Sequence, residues 1–529
     1  MQDRINYVLY YAIIVSLGGF VFGFDAAVIS GVVGFVTTEF DLTPIQAGFV
    51  VAAPTLSGVF GTLVIGPLSD ALGRKKVLLI IAFLYLLSAV ASAFATSYMM
   101  LVVARAIGGL AFTSLMIAPM YIAEIAPARL RGKLVSINQL NIVVGLSAAY
   151  FANYYLLNLS ESSTQWVTDL GLDTNTWRWM LGIEIVPAVL FFAGLFIIPD
   201  SPRWLIIKGR EKDARAVLEK LVPANLIDSE INSIKNGQDT ETTALWMKIK
   251  GIFGPKMRLA LIVGMIVAVV QQITGINAIF FYAPTIFEQS GIGTDAAFAQ
   301  AALIGVVNVV FTLVAIALID QWGRRPLLLV GLSGIALSMA LCTYGFAQAT
   351  YQLKSNSIAQ IEQQAEIGQN VNLADIEPMI DVIYDSDVEF KLALRTTIGD
   401  AAAKQLESEL IKSATNMNAT LILIGIIGFV ASFAMSLGPV MWALFAEIFP
   451  NQLRAVAISF VGMINSLVSF FVQLLFPLEL SVMGAALTFF SYCLFAVIGL
   501  ILVAWLLPET KGRSLEDLEQ LFSSEKGAS

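Results

Sequence analysis

Residues 70–75 read Asp70-Ala-Leu-Gly-Arg-Lys75, and the pattern returns as Asp320-Gln-Trp-Gly-Arg-Arg325, offset by 250 residues. Each copy is a short charged turn between two long apolar runs. Ala123-Glu-Ile-Ala-Pro-Ala-Arg-Leu-Arg131 likewise recurs as Ala446-Glu-Ile-Phe-Pro-Asn-Gln-Leu-Arg454, offset by 323. Pro199-Asp-Ser-Pro-Arg203 recurs more loosely as Pro508-Glu-Thr-Lys-Gly-Arg513, offset by 309. The jump of 73 between the first two offsets is about the length of an acidic polar stretch, roughly 349–416, that falls between them. The chain therefore reads as two halves of common design with one insertion in the second.

The apolar runs identify what is duplicated. Of the 529 residues, 57% are hydrophobic and 13% charged, whereas soluble domains run near ~45–50% and ~25%. The mean hydropathy is +0.79. These values exclude disordered, fibrous and secreted disulfide classes and point to a helical membrane protein. Windows of about 20 residues, the length that crosses a bilayer, give twelve spans: roughly 8–33, 46–69, 76–96, 98–122, 133–157, 178–198, 257–288, 296–319, 326–348, 417–445, 455–477 and 482–507. The first is too long for a signal peptide, has no clear cleavage site and contains Asp25.

Placing both termini in the cytoplasm puts 24 of the 31 Lys and Arg residues on that side, which fixes the expected orientation. The expected organisation is an N-terminal six-helix bundle (1–198), a cytoplasmic linker with short helices (199–256), a C-terminal six-helix bundle (257–507) carrying the outer insert 349–416, and a cytoplasmic tail (508–529). Glu-Lys-Asp-Ala-Arg-Ala-Val-Leu-Glu-Lys-Leu at 211–221 reads as an amphipathic linker helix. The insert is expected to be a solvated cap with helical stretches such as 401–414.

Composition also limits the chemistry. The chain has no histidine, so any proton handling falls to a carboxylate. Its two cysteines, Cys342 and Cys493, sit in apolar runs and suggest neither a disulfide framework nor a metal site. No nucleophile–base pair or phosphate loop is apparent, so no enzyme and no cofactor is expected. Parallel repeats of six spans instead suggest a carrier that rocks one half against the other around a site at the bilayer midplane.

Five motifs in order give this reading a family. Asp70 with Gly73-Arg-Lys-Lys76, Arg105-Ala-Ile-Gly-Gly109 leading to Tyr121-Ile-Ala-Glu124, Pro199-Asp-Ser-Pro-Arg-Trp-Leu205, Gln271-Gln-Ile-Thr-Gly-Ile-Asn277 and Pro508-Glu-Thr-Lys-Gly512 resemble the sugar porter family of the major facilitator superfamily. The resemblance covers the chain outside the insert. It implies an all-α membrane protein, its two six-helix bundles related by pseudo-two-fold symmetry in the major facilitator fold. It implies a bacterial-type plasma-membrane protein, monomeric, whose partners are a monosaccharide, a proton and the lipid bilayer, with no nucleic acid.

Site residues follow from both lines. Buried amides are costly without partners, and an amide matches a sugar hydroxyl because it both donates and accepts. The family positions for substrate fall on Gln139, Gln271, Gln272, Asn277, Asn308, Trp442 and Asn465. Ser466 stands where many relatives have tryptophan, and Phe281 where a gating tyrosine is common. Phe280 and Leu146 resemble glucose carriers, hence a hexose. Counting residues from the outer helix ends puts Asp25, Arg105 and Glu184 about 9–12 Å deep at 1.5 Å per residue, so the three are expected to meet. The resemblance makes Asp25 the proton carrier, with Arg105 its modulator and Glu184 a second participant. The alternative is a facilitative uniporter in which Asp25 is merely structural. At the inner helix ends, the expected gating pairs are Asp70 with Arg74, Asp320 with Arg324, Glu124 with Arg131 and Glu447 with Arg454.

Overall fold

The computed structural model describes residues 2–162, 164–236, 245–354, 373–450, 452–513 and 518. Most of the expected tail, and parts of the linker and insert, lie outside these. Among the described residues, twelve helices are long and apolar enough to cross a membrane. Spans 1 to 6 are Asn6–Gly31, Pro44–Leu72, Arg74–Ala93, Tyr98–Ile125, Leu130–Ser160 and Thr176–Gly194. Spans 7 to 12 are Pro255–Phe281, Thr294–Trp322, Arg324–Ala347, Ala419–Ile448, Arg454–Val482 and Gly484–Leu506. All twelve match the sequence reading, with shifts of a few residues at the ends. The loops with Arg74, Arg131, Arg324 and Arg454 share one face, called the basic face here; the insert lies on the other.

Local chemistry sets the ends and the breaks. Thr43 and Gln46 form a reciprocal capping box at the start of span 2, with Pro44 in the first turn. Gly73 and Gly323, at φ +91° and +92°, make the matched turns between spans 2 and 3 and between spans 8 and 9. Span 6 is interrupted between Gly182 and Ile185, and span 10 at Ser436. Pro187 and Pro439 follow these breaks, and a proline ring clashes with the carbonyl four residues before it.

Glycines bring the helices of each bundle together. A Cβ at Gly23 would lie 1.9 Å from Ile142 O, and one at Gly145 would lie 2.1 Å from Phe20 O. Spans 1 and 5 thus touch backbone to backbone. The apolar cores reveal how the two bundles meet. On the insert face one continuous core runs through both halves, from Val28, Val32 and Tyr150 to Ile276, Phe287 and Phe298. At the basic face the N-terminal half keeps a separate core of its own, which includes Val15, Leu78, Ile122 and Phe191. The halves are fused at one face and parted at the other.

Two small units attach to this frame. The linker helices Pro202–Ile207, Glu211–Leu221 and Ile227–Asn236 close around Leu205, Ala214, Leu218 and Ile231. Trp204 fastens them to the basic face, its Nε1 donating to Asp70 O at 3.0 Å. The insert has the expected helical stretch at Asp400–Ala414 and adds a small sheet to it. Strands β1 (Thr350–Gln352), β2 (Ile383–Tyr384) and β3 (Thr415–Asn416) form an antiparallel sheet in the order β2-β1-β3. Helices Asp387–Ile398 and Asp400–Ala414 pack on it around Phe390, Leu394 and Leu410. Burial, reinforced by the Asp387 charge, raises the Tyr351 phenol above its usual range.

Candidate functional site

The N-terminal half buries charge. Asp25 is 0% exposed and Arg105 2% exposed, and Arg105 Nη1 forms a direct ion pair with Asp25 Oδ1. Gly108, the first glycine of the Arg105-Ala-Ile-Gly-Gly109 motif, explains why they fit: a Cβ there would sit 3.2 Å from Asp25 Oδ2 and 2.5 Å from Ser88 Oγ. Any side chain there would collide with the Ser88 hydroxyl and crowd the carboxylate. Glu184, 2% exposed, borders the break in span 6 and feels the charges of both Asp25 and Arg105. Among the described residues, Asp25 Oδ2, Arg105 Nε and Glu184 Oε1 find no hydrogen-bond partner. The three ionisable groups expected to meet do come together, with one carboxylate paired and the other not.

The C-terminal half buries amides. Gly275, at φ +93°, ends the first part of span 7 at Thr274, and the helix restarts at Ile276. In an unbroken helix Asn277 would point about 140° away from Gln272, since each residue turns by about 100°. Across the break, Asn277 Nδ2 donates to Gln272 Oε1 at 2.8 Å. Gln272 Nε2 donates to Gln271 Oε1 at 3.2 Å and to Asn465 Oδ1 at 3.1 Å. Asn465 Nδ2 returns to Gln271 Oε1 at 2.7 Å, and Gln271 Nε2 reaches Leu437 O at 3.2 Å. Four of the expected substrate residues are therefore one hydrogen-bonded unit between spans 7 and 11.

The other expected residues stand apart from that unit. Asn308 is buried on span 8, and Gln139 is half-buried on span 5. Trp442 on span 10 is 47% exposed, its ring set edge-on to Phe445 with centroids 5.9 Å apart. Phe281 is half-buried at the end of span 7. Beside it, Tyr150 Oη of the N-terminal half donates to Phe280 O at 2.5 Å. Two residues outside the sequence reading also join the network. Ser469 Oγ accepts from Asn277 Nδ2 at 2.6 Å and from Gln473 Nε2 at 2.7 Å. The signal was present: Asn465, Ser469 and Gln473 recur every four residues, one stripe of a helix.

The basic-face clusters differ from the expected pairing. Arg74 meets both Asp70 and Glu124, each at 3.0 Å. Arg324 meets Glu447 at 2.7 Å and Asp320 at 3.4 Å. Glu124 thus pairs with Arg74 rather than Arg131, and Glu447 with Arg324 rather than Arg454. Arg131 is exposed, and Arg454 Nε turns back to Phe449 O at 3.1 Å. The reason is geometric: the motif turns point each arginine at the end of the neighbouring helix rather than along its own loop. Each cluster stays within its own half. The second is further tied by Glu509, which accepts from the backbone N–H groups of Arg324 and Arg325, each at 3.1 Å.

Known proteins resemble this chain along nearly its whole length. The family model described as "Sugar (and other) transporter" matches residues 11–362 and 396–522. The arabinose-proton symporter of Bacillus subtilis is 32% identical, with 98% of this chain and 96% of that protein covered. The glucose transporter GlcP of Staphylococcus epidermidis is 31% identical, with 97% of each covered. Among solved structures, the inward open conformation of the xylose transporter XylE from E. coli superposes with a TM-score of 0.73 at 28% identity. That match covers 97% of this chain and all of the other.

Proposed function

The chain belongs to the sugar transporter family, and from that premise we propose that it is a proton-coupled monosaccharide importer working by alternating access. It is a twelve-span membrane transporter, not an enzyme. In this reading the basic face is cytoplasmic, the protein acts as a monomer in a bacterial inner membrane, and the bundles correspond to 1–198 and 257–507. The separate basic-face core of the N-terminal half and the core shared by both halves at the insert face then describe an inward-facing carrier, its outer gate shut.

The observation that carries the proposal is the burial of Asp25 against Arg105. Burial penalises the charged carboxylate and the guanidinium favours it. How these two influences balance depends on how intimate the contact is. A rocking motion that lengthens or wets the contact moves the balance, so Asp25 takes a proton in one state and releases it in the other. Glu184, buried and unpaired beside it, provides a second position for that proton. Sugar binds separately, on Gln271, Gln272, Asn277 and Asn465, with Gln139, Asn308 and Trp442 closing the cavity from the facing helices. Phe281 gates it on the outer side. Leu146, Phe280 and the glucose-transporting relative favour a hexose.

The test is a sugar-competition panel in proteoliposomes, run with and without an imposed inward proton gradient. Uphill accumulation of a hexose only with the gradient is the expected result. Equal, passive equilibration in both conditions would make the chain a facilitative uniporter.

A further inference from the structure

The polar line of the C-terminal half does not stop at the sugar-binding amides. From Asn277 it passes to Ser469 and then to Gln473, which is 1% exposed. Gln473 Oε1 accepts from Thr55 Oγ1 at 3.0 Å. Thr55 lies on span 2, in the other half. Among the described residues, the neighbouring contacts between spans 2 and 11 include apolar and steric ones. Phe49 meets Phe470 edge-to-face with centroids 6.4 Å apart, and a Cβ at Gly48 would lie 2.0 Å from Leu474 O. Tyr282 Oη holds the Gln473 backbone carbonyl at 2.9 Å.

We infer that Thr55 and Gln473 form the polar clasp of the closed insert-face gate, with Ser469 the positioning residue that ties the clasp to the sugar site. Donor and acceptor accounting supports this. A hydroxyl oxygen has two acceptor positions, and Ser469 Oγ uses both, one for Asn277 and one for Gln473. The Gln473 amide is thereby oriented, its nitrogen toward Ser469 and its oxygen toward Thr55. When the insert face opens, spans 2 and 11 separate and the Thr55 bond must break. A sugar hydroxyl that draws Asn277 away frees one acceptor position on Ser469, so occupancy of the site is felt at the clasp through two hydrogen bonds.

This rests on the alternating-access reading, but its test needs neither sugar nor proton gradient, so the two can fail separately. Nitroxide labels on Thr96→Cys and Asp295→Cys, in a Cys342→Ala, Cys493→Ser background, report the separation of the halves at the insert face. The full chain is reconstituted without sugar. Thr55→Val removes the hydroxyl and keeps the shape; the expected result is a rise of about 2- to 10-fold in the wide-separation population, the size of one lost hydrogen bond. Gln473→Met is expected to give a similar rise, and the double variant no more than either single. Thr55→Ser, which keeps the hydroxyl, should match the wild type. Ser469→Ala should shift the distribution in the same direction by less. Unchanged distances in Thr55→Val, additive effects in the double variant, or a Thr55→Ser shift equal to that of Val would each overturn the clasp.

Discussion

The two halves share a plan, but the charged trio of one and the amide cluster of the other have no like counterpart across the repeat. The 250-residue offset sets Asp25 against Gly275, the 323 offset sets Arg105 against Gly428, and the 309 offset sets Glu184 against Cys493. Every charged member of the N-terminal trio has an uncharged counterpart. The amides reverse the pattern: Gln271, Gln272 and Asn277 correspond to Val21, Phe22 and Ala27, and Asn465 to Ile142. One duplicated scaffold thus gives one half a buried ion pair suited to a proton and the other a hydrogen-bonding wall suited to hydroxyls. In the proposed function, with the proton on one half and the sugar on the other, coupling passes through movement of the halves rather than through direct contact of proton and sugar.

If that division is right, damage in one half should leave the other's function intact. The largest effect is expected for Arg105→Met, which leaves Asp25 buried without its partner. Breaking a buried pair costs about 3–5 kcal/mol, read as a fall in thermal unfolding temperature in detergent. The double variant with Asp25→Asn should recover part of that loss, because no lone charge then remains. A single variant as stable as the wild type would deny that the pair is sealed from water.

On the amide side, Gln271→Leu or Asn465→Leu should weaken sugar binding by roughly 10-fold, the equivalent of one good hydrogen bond. Equilibrium binding measures this, and proton uptake on adding saturating sugar should persist. Loss of proton coupling in these variants would mean that the sites are not separate.

The basic-face clusters offer a finer comparison. Side-chain exposure is 7% for Glu124 and 22% for Glu447. Glu124→Gln should therefore cost more, about 3 kcal/mol against about 1 kcal/mol, since desolvated pairs are penalised most when one partner is lost. Thermal unfolding of the two variants ranks them; the reverse order would contradict the burial argument.

The smallest effect lies at the insert face, where Glu39 accepts from Trp177 Nε1 at 2.6 Å and Arg178 at 2.9 Å. Burial alone would raise its carboxyl, but the hydrogen bonds from Arg178 and Trp177 and the Arg178 charge outweigh it and hold the group below its usual range. A lowered carboxyl stabilises the fold above its unfolded pKa of about 4.3, and the gain fades as pH falls through the folded value. Its side chain is 39% exposed, so screening keeps the term below about 1 kcal/mol. Glu39→Gln should remove that term, a loss of less than about 1 kcal/mol at pH 7, and flatten the small stability loss that the wild type shows below pH 4.3.

Much of this was legible in the sequence because hydrophobic length, basic loops and repeated motifs are one-dimensional signals. The twelve spans and the meeting of Asp25, Arg105 and Glu184 followed from counting residues along straight helices. Counting failed where helices break. Asn277 reaches Gln272 only because Gly275 interrupts span 7, and no spacing rule supplies the bend. It also failed where a pair depends on how neighbouring helices are rotated: Arg74 reaches Glu124 across 50 residues, and Thr55 reaches Gln473 across 418. Thr55 carries no periodic signal on its own helix. The small sheet of the insert was hidden for a similar reason, its strands being two or three residues long and far apart in the chain.

One experiment reaches the centre of the account: sugar-induced alkalinisation and uphill uptake by proteoliposomes carrying Asp25→Asn, with counterflow exchange measured alongside. The asparagine retains an acceptor for Arg105 but has no proton to give. The predicted outcome is exchange close to the wild-type rate with both alkalinisation and accumulation abolished. Accumulation that continues undiminished in the variant would contradict the assignment of proton transfer to the buried acid.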